Sequence, residues 1–300
     1  MNRDRSIVLL AVFMVMTAFA DSFPGTVSDS EKNVAIICLL DGKAWISDPS
    51  GMNRREANLF DWITTGAAIE TAPGAKLVLA FSSGSRYELG EKAKVVLGQE
   101  KFASASGSVK KLDSVALMPH IASLLGQAKP GSRLGGIRLR GSKRTITNLF
   151  PAEGDSVLSE NVVLSFDPLE GAEKYRVEIE DESGNSIFLV EITSPLVAVS
   201  PGVIKPGANY YWQVRSLETG KLSAVSYSAF VTVDQEHARL LKSFRAFVGT
   251  SKDVANTLLL ARMELSLGLR GDACKTLGEA LALFPDNAEI KNALVRGGCK

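Results

Sequence analysis

Tyr175-Arg176-Val177-Glu178-Ile179-Glu180, then Asp181-Glu182-Ser183-Gly184-Asn185, then Ser186-Ile187-Phe188-Leu189-Val190-Glu191-Ile192, set the character of this chain. Apolar and polar residues alternate before an acidic, glycine-containing turn, and a β-rich run follows it, which predicts two strands joined by a tight connection. The same period of two runs upstream through Val162-Val163-Leu164-Ser165-Phe166 and downstream through residues 196–199, 210–217 and 225–233. About seven short strands between residues 148 and 234 predict a β-sandwich. No cysteine falls in this stretch, so its core must hold by packing alone.

Further upstream, residues 31–105 also read as short strands between glycine turns. Val34-Ala35-Ile36-Ile37-Cys38-Leu39-Leu40 is apolar throughout and predicts a buried strand with Cys38 inside it. Asp41-Gly42 reads as a hairpin turn into Ala44-Trp45-Ile46, Ala72-Pro73-Gly74 separates residues 68–71 from 76–81, Ser83-Gly84-Ser85 turns into Tyr87-Glu88-Leu89, and Gly90-Glu91 turns into residues 93–97. After residue 234 the period changes to three and four. Val254, Leu258, Ala261 and Leu265 share one helix face, and Ala273, Leu277, Ala280, Leu281 and Phe284 share the next, across a turn at residues 268–271. Residues 235–248 and 288–295 predict a helix on either side.

These residues carry three resemblances. Leu40-Asp41-Gly42-Lys43-Ala44, Ile63-Thr64-Thr65-Gly66-Ala67-Ala68-Ile69-Glu70-Thr71, Gly74-Ala75-Lys76-Leu77-Val78-Leu79, Gly84-Ser85 and Lys94-Val95-Val96-Leu97 resemble the FecR domain of bacterial periplasmic sensors of iron-siderophore uptake. Signalling members place an anti-sigma segment and a membrane helix before that domain, and here only a signal peptide precedes it. Ile204-Lys205-Pro206-Gly207-Ala208-Asn209-Tyr210 resembles the turn and tyrosine of fibronectin type III domains. That resemblance implies Tyr210 in a corner position, Trp212 and Val214 pointing inward, and Phe166 where the family commonly has a strand tryptophan. Leu260-Ala261, Gly268, Ala273, Leu277, Ala280 and Pro285 are similar to a tetratricopeptide repeat, with Glu264 at a position often aromatic. The expected fold class is therefore multidomain and mainly β: a FecR-like β domain (31–105), a basic linker or extension (106–147) with a short helix within 114–126, a fibronectin-like sandwich (148–234) and tetratricopeptide-like helices (235–300). Such helices need stacked neighbours, so they are expected to lean on the sandwich or on a partner and to present a groove.

The 300 residues carry 34 Lys and Arg against 33 Asp and Glu, with 45% hydrophobic and 22% charged residues. That composition excludes disorder, collagen and coiled coil, and a formal charge of +1 argues against a dedicated nucleic-acid binder. Arg3 and Arg5 precede an uncharged run over residues 7–19 that ends in Ala18-Phe19-Ala20, the pattern of a signal peptide (1–20) cleaved before Asp21. As a helix the run spans roughly 20 Å, short of the roughly 30 Å of membrane hydrocarbon. The expectation is a periplasmic or secreted envelope protein without a membrane span in its mature chain.

In an oxidising compartment the three cysteines, Cys38, Cys274 and Cys299, leave one over. Cys274 and Cys299 lie at similar distances on either side of the Pro285 turn, so a disulfide is expected to clip the chain end, two free thiols being the alternative. Closing that loop is worth about 3.5 kcal/mol on chain entropy.

The catalytic signals are absent. His120 and His237 stand apart with no metal-ligand spacing, and no nucleophile elbow, phosphate loop or dinucleotide fingerprint occurs, so no catalytic, metal or cofactor residue is assigned. Glu178, Glu180, Asp181 and Glu182 allow a weak calcium site, but alternation places Glu178 and Glu180 on a solvated face. A glycosidase pair of carboxylates meets only in three dimensions, and nothing in the sequence points to one. Lys129, Arg133, Arg138, Arg140, Lys143 and Arg144 form a strip without acidic residues. It reads either as contact to phosphate or an anionic cell-wall polymer, or as a solvated connection with an edge strand at Ile137-Arg138-Leu139-Arg140. The leading expectation is a non-enzymatic exported protein that binds an envelope protein or acts as a scaffold. Cell-wall glycan binding, a sensing partner in FecR-type signalling and, last, a hydrolase are the alternatives.

Overall fold

The computed structural model describes residues 32–127, 145–217, 224–251 and 253–299. The first apolar run forms β1 (Asn33–Asp41), and nine further strands complete two facing antiparallel sheets: β2 (Ala44–Ser47), β3 (Arg54–Glu56), β4 (Trp62–Thr64), β5 (Ala68–Thr71), β6 (Lys76–Phe81), β7 (Arg86–Leu89), β8 (Lys94–Leu97), β9 (Phe102–Ser106) and β10 (Val109–Leu112). One sheet has the order β10-β7-β6-β1-β4, the other β3-β2-β5-β8-β9. Ile37, Leu40, Ile46, Ile69, Leu77, Leu79, Phe81, Val95 and Leu97 fill the space between them.

This arrangement corrects the reading of Asp41-Gly42 as a hairpin turn. β1 and β2 do not pair; the chain crosses there from one sheet to the other, because the apolar residues of both strands must face a common core. Gly42 makes the crossing possible: its φ is +82°, and a side chain there would meet Ala75 at 3.0 Å. The connections at residues 72–74 and 90–91 cross in the same way, whereas residues 83–85 do join a paired hairpin, β6–β7. The first unit also continues past residue 105, since β10 pairs with β7 over Val109↔Leu89 to Leu112↔Arg86.

β1 is buried on both faces. A register shift between Ile37 and Leu39 makes Cys38 the extra residue of a bulge, which sends Ile36, Cys38 and Leu39 to the face away from the inter-sheet core. That second face is covered by α1 (Met118–Gln127) and by the C-terminal helices α2 (Gln235–Ser251), α3 (Val254–Ser266), α4 (Arg270–Leu283) and α5 (Ala288–Arg296). One cluster joins Ile36, Leu39, Val78 and Ala80 of the strands to Met118, Ile121, Phe244, Leu258, Leu259, Leu277 and Ile290 of the helices. The helices therefore lean chiefly on the first β unit, with Leu158 and Val233 touching the cluster from the sandwich side.

The sandwich has the seven strands expected: β11 (Asp155–Val157), β12 (Val163–Ser165), β13 (Tyr175–Asp181), β14 (Ser186–Ile192), β15 (Leu196–Ala198), β16 (Asn209–Ser216) and β17 (Val225–Thr232). They form a sheet β11-β17-β16-β13-β14 and a two-stranded sheet β12-β15. Leu164, Phe166, Tyr175, Val177, Ile179, Trp212, Val214 and Phe230 make a core separate from the other two. Tyr210 Oη accepts from Lys205 N at 2.9 Å, the corner contact of such sandwiches, and Trp212 Nε1 donates to Pro151 O at 3.1 Å.

Candidate interaction surface

The side chains that join the helices to the first β unit decide which surfaces remain for other molecules. Arg86, on β7, is buried. Its guanidinium donates through Nη1 to Asp253 and to Asn256 Oδ1 at 2.7 Å, and through Nε to Asp113 O at 2.8 Å. Asp253 is also the N-cap of α3, accepting from Ala255 N at 3.0 Å, so one carboxylate ends the helix and binds it to the sheet. At the other end, Asn287 caps α5 and donates to Leu40 O at 2.9 Å, while Glu289 accepts from Leu59 N at 3.2 Å. Cys38 lies inside this joint. Burial pushes its thiol up to about 12, against the opposing pull of Arg86, so it is protonated and unreactive at neutral pH.

Within the helices, the position expected to hold an aromatic holds the buried Glu264. Its carboxylate accepts from Arg245 Nη2 at 2.7 Å and Thr276 Oγ1 at 2.7 Å, and Arg245 reaches on to Asp272 at 2.9 Å. Burial still raises the carboxyl above its usual range, the bonds to Thr276 and Arg245 offsetting only part of the desolvation. Nine of the thirteen residues of α3 are buried. The groove expected of these helices is thus taken up internally, because α3 packs against β1, α1, α2 and α4 at once. Cys274 and Cys299 are bridged, with Cα atoms 5.4 Å apart, and the bridge ties the chain end to α4.

The sandwich presents a different surface. Alternation along β16 sends Tyr210, Trp212 and Val214 into the core and Tyr211, Gln213 and Arg215 outward. Tyr211 is 44% exposed and Tyr227, on β17, is 49% exposed. The register Tyr211↔Ala229 and Gln213↔Tyr227 makes the two tyrosines diagonal neighbours on one face. Around them, Gln213 Nε2 donates to Glu178 at 2.8 Å, and Arg176 pairs with Glu191 at 2.7 Å. The face is a pair of accessible phenol rings set among polar groups already satisfied by one another. Alternation in Tyr210-Tyr211-Trp212 was the sequence signal for it, since inward Tyr210 and Trp212 require an outward Tyr211.

Of the acidic residues considered for calcium, Asp181 is committed to its own turn, accepting from Ser183 N and Asn185 N at 2.9 Å each. Those bonds, with the Asn185 side chain first, hold its carboxyl below the usual range. Glu182 accepts from Asn209 and Glu178 from Gln213. Among the described residues no group of three metal-binding side chains forms. No helix there is long and apolar enough to cross a membrane. Arg133, Arg138, Arg140, Lys143 and Arg144, the residues proposed to touch an anionic polymer, lie outside the described residues.

No protein-family model matches the chain, and no curated protein sequence does. Among solved structures, the fibronectin type III domain of the human collagen alpha-1(XX) chain is 22% identical, covering 32% of this chain and 93% of that one, with a TM-score of 0.25. CopC from Methylosinus trichosporium OB3b is 16% identical over 30% of this chain and 94% of its own, with a TM-score of 0.23. A two-domain fibronectin type III segment of chicken tenascin is 13% identical over 62% and 81%, with a TM-score of 0.22. The fibronectin-like character of the sandwich rests on its strand order and the Tyr210 corner rather than on these scores.

Proposed function

We propose that the chain is an exported, non-enzymatic scaffold of the bacterial envelope that binds a protein partner through the outer face of its sandwich. The observation that carries this reading is the division of labour in the packing. The helices spend their apolar faces on the first β unit, while Tyr211 and Tyr227 stay accessible on a rigid sheet. Tyrosines on a rigid element give large contact area at small entropic cost, which suits protein recognition. In this reading the FecR-like unit and the tetratricopeptide-like helices are one rigid base, and the sandwich is the part that engages. The Cys274–Cys299 bridge and the signal-like residues 1–20 support an extracytoplasmic location.

The test is crosslinking in intact cells of the native host, with a photoreactive residue at Tyr211 or Tyr227 and, as control, at the exposed Glu279 of α4. Recovery of one defined envelope protein from the two sandwich positions and not from the control is the expected result. Recovery with the insoluble wall fraction and no protein partner would replace this reading with glycan binding, and equal recovery from all three positions would overturn the assigned face.

A further inference from the structure

Every open sheet must keep its edge strands from pairing with other chains, usually by shortness, charge or proline. The edges of the first β unit follow that rule: β3 is the charged triplet Arg54-Arg55-Glu56, β4 has three residues, β10 carries Lys110 and Lys111, and β9 is broken by a bulge. In the sandwich, β11, β12 and β15 have three residues each. β14 is the exception. It has seven residues, with no Lys, Arg, Pro or Gly, and it ends its sheet.

Among the described residues, the main chain of residues 186–192 pairs only with β13. No hydrogen bond from another described residue reaches the main-chain groups pointing the other way. The side chains show the same lack of cover. Phe188, Val190 and Ile192 pack against the core yet stay only half-buried, because the opposite sheet is two strands wide beneath a sheet of five. Leu189 is 59% exposed.

We propose that β14 is a self-pairing edge, through which two copies of the chain join antiparallel about a two-fold axis at Leu189. The register follows from the residues. A bulge at Ile187 ends the regular ladder, leaving residues 188–192 to pair, and a centre at Glu191 would set two carboxylates face to face. A centre at Val190 would place each Leu189 against a Glu191. A centre at Leu189 sets Leu189 against its own copy and Phe188 against Val190 on either side of it, and leaves Glu191, which Arg176 already neutralises, opposite the bulge. The contact is isologous and closes as a dimer instead of propagating. The pairing groups are the main chain of the sheet edge, while Leu189 stands in the outer-face row Leu189–Glu178–Gln213–Tyr227; self-association of the purified chain needs no partner, so its failure and that of the partner reading are told apart by the experiment.

The experiment is sedimentation velocity on the purified full-length exported chain and its variants at tens of micromolar. The chain itself is expected to sediment as a dimer. Leu189→Lys and Leu189→Glu, at an exposed position, are each expected to sediment as monomers that keep the parent's circular-dichroism spectrum, and their equimolar mixture to regain the dimer. Leu189→Cys adds the one accessible thiol, Cys38 being buried and the other two bridged, and is expected to yield a covalent dimer on mild oxidation. A monomeric parent chain at every concentration overturns the proposal, as does a dimer that either charged variant leaves intact. A dimer lost in both variants but not regained on mixing overturns the Leu189 register.

Discussion

The sandwich and the C-terminal helices are both covered by apolar residues at regular spacing, yet they are built on opposite principles. The sandwich draws its core from its own strands and the segments between them, with Tyr175, Trp212 and Phe230 packed together inside residues 146–230. The helices have no such private core. Their buried residues share one cluster with β1, β6 and α1, and the ties that fix them, Arg86 to Asp253 and Asn287 to Leu40, link residues 167 and 247 positions apart. A module that looks like a repeat in sequence is therefore the missing layer of a distant β unit. The sandwich is inserted between the two halves of that composite.

The largest expected effect comes from ending the chain at residue 234. Ile36, Leu39, Val78 and Ala80 then lose their cover, and the first β unit is expected to lose its cooperative unfolding transition while the sandwich keeps its own. Trp45 and Trp62 report on the first unit and Trp212 on the sandwich, so fluorescence of single-tryptophan variants separates the two. Core truncations sharpen the contrast. Leu258→Ala is expected to cost about 3 kcal/mol in the transition of the first unit and helices together, and Leu164→Ala a similar ~3 kcal/mol in the sandwich transition alone, read from urea midpoints.

Opening the disulfide should matter less. Cys274→Ser is expected to lower the stability of the composite by about 2 kcal/mol, below the chain-entropy value, because Asn287 and Ile290 also hold α5. The smallest effects are pH slopes of opposite sign. Burial raises the Glu264 carboxyl, so the native state holds its proton more tightly than the unfolded chain does. Its contribution falls as pH rises from the unfolded carboxylate value through the higher native one. The hydrogen bonds of Asn185 lower the Asp181 carboxyl, so its contribution is present above the unfolded value and lost as pH falls through the lower native one. Urea midpoints from acidic to neutral pH are expected to lose the first slope in Glu264→Gln and the second in Asp181→Asn.

Local physics explains what could be read in advance. Period-two runs placed β12 to β17 within a residue or two, and helical spacing around Pro285 brought Cys274 to Cys299, whereas the Tyr210 corner came from the resemblance of residues 204–210 to the fibronectin turn and tyrosine. The continuous run Val34 to Leu40 signalled a buried strand, and its lack of any polar face is what a second covering layer requires. What covered it was not legible, since nothing near residue 36 encodes contact with Leu258. Sheet assignment at Asp41-Gly42 failed for a related reason. Alternation tells which side of a strand is apolar, not whether the next strand lies beside it or across the core. The outward Tyr211 was readable from its neighbours, but the value of that face emerged only when α3 proved to be enclosed.

Native-state hydrogen exchange on the Arg86→Met variant tests the composite most directly. Removing the buried cation leaves Asp253 and Asn256 without their shared partner, at a cost of about 3 kcal/mol. The amides of β1 and α3 are expected to lose protection together and by the same factor, while those of β13 and β16 keep theirs. Loss of protection in α3 alone, with β1 unchanged, would contradict the account and make the helices an independent appendage.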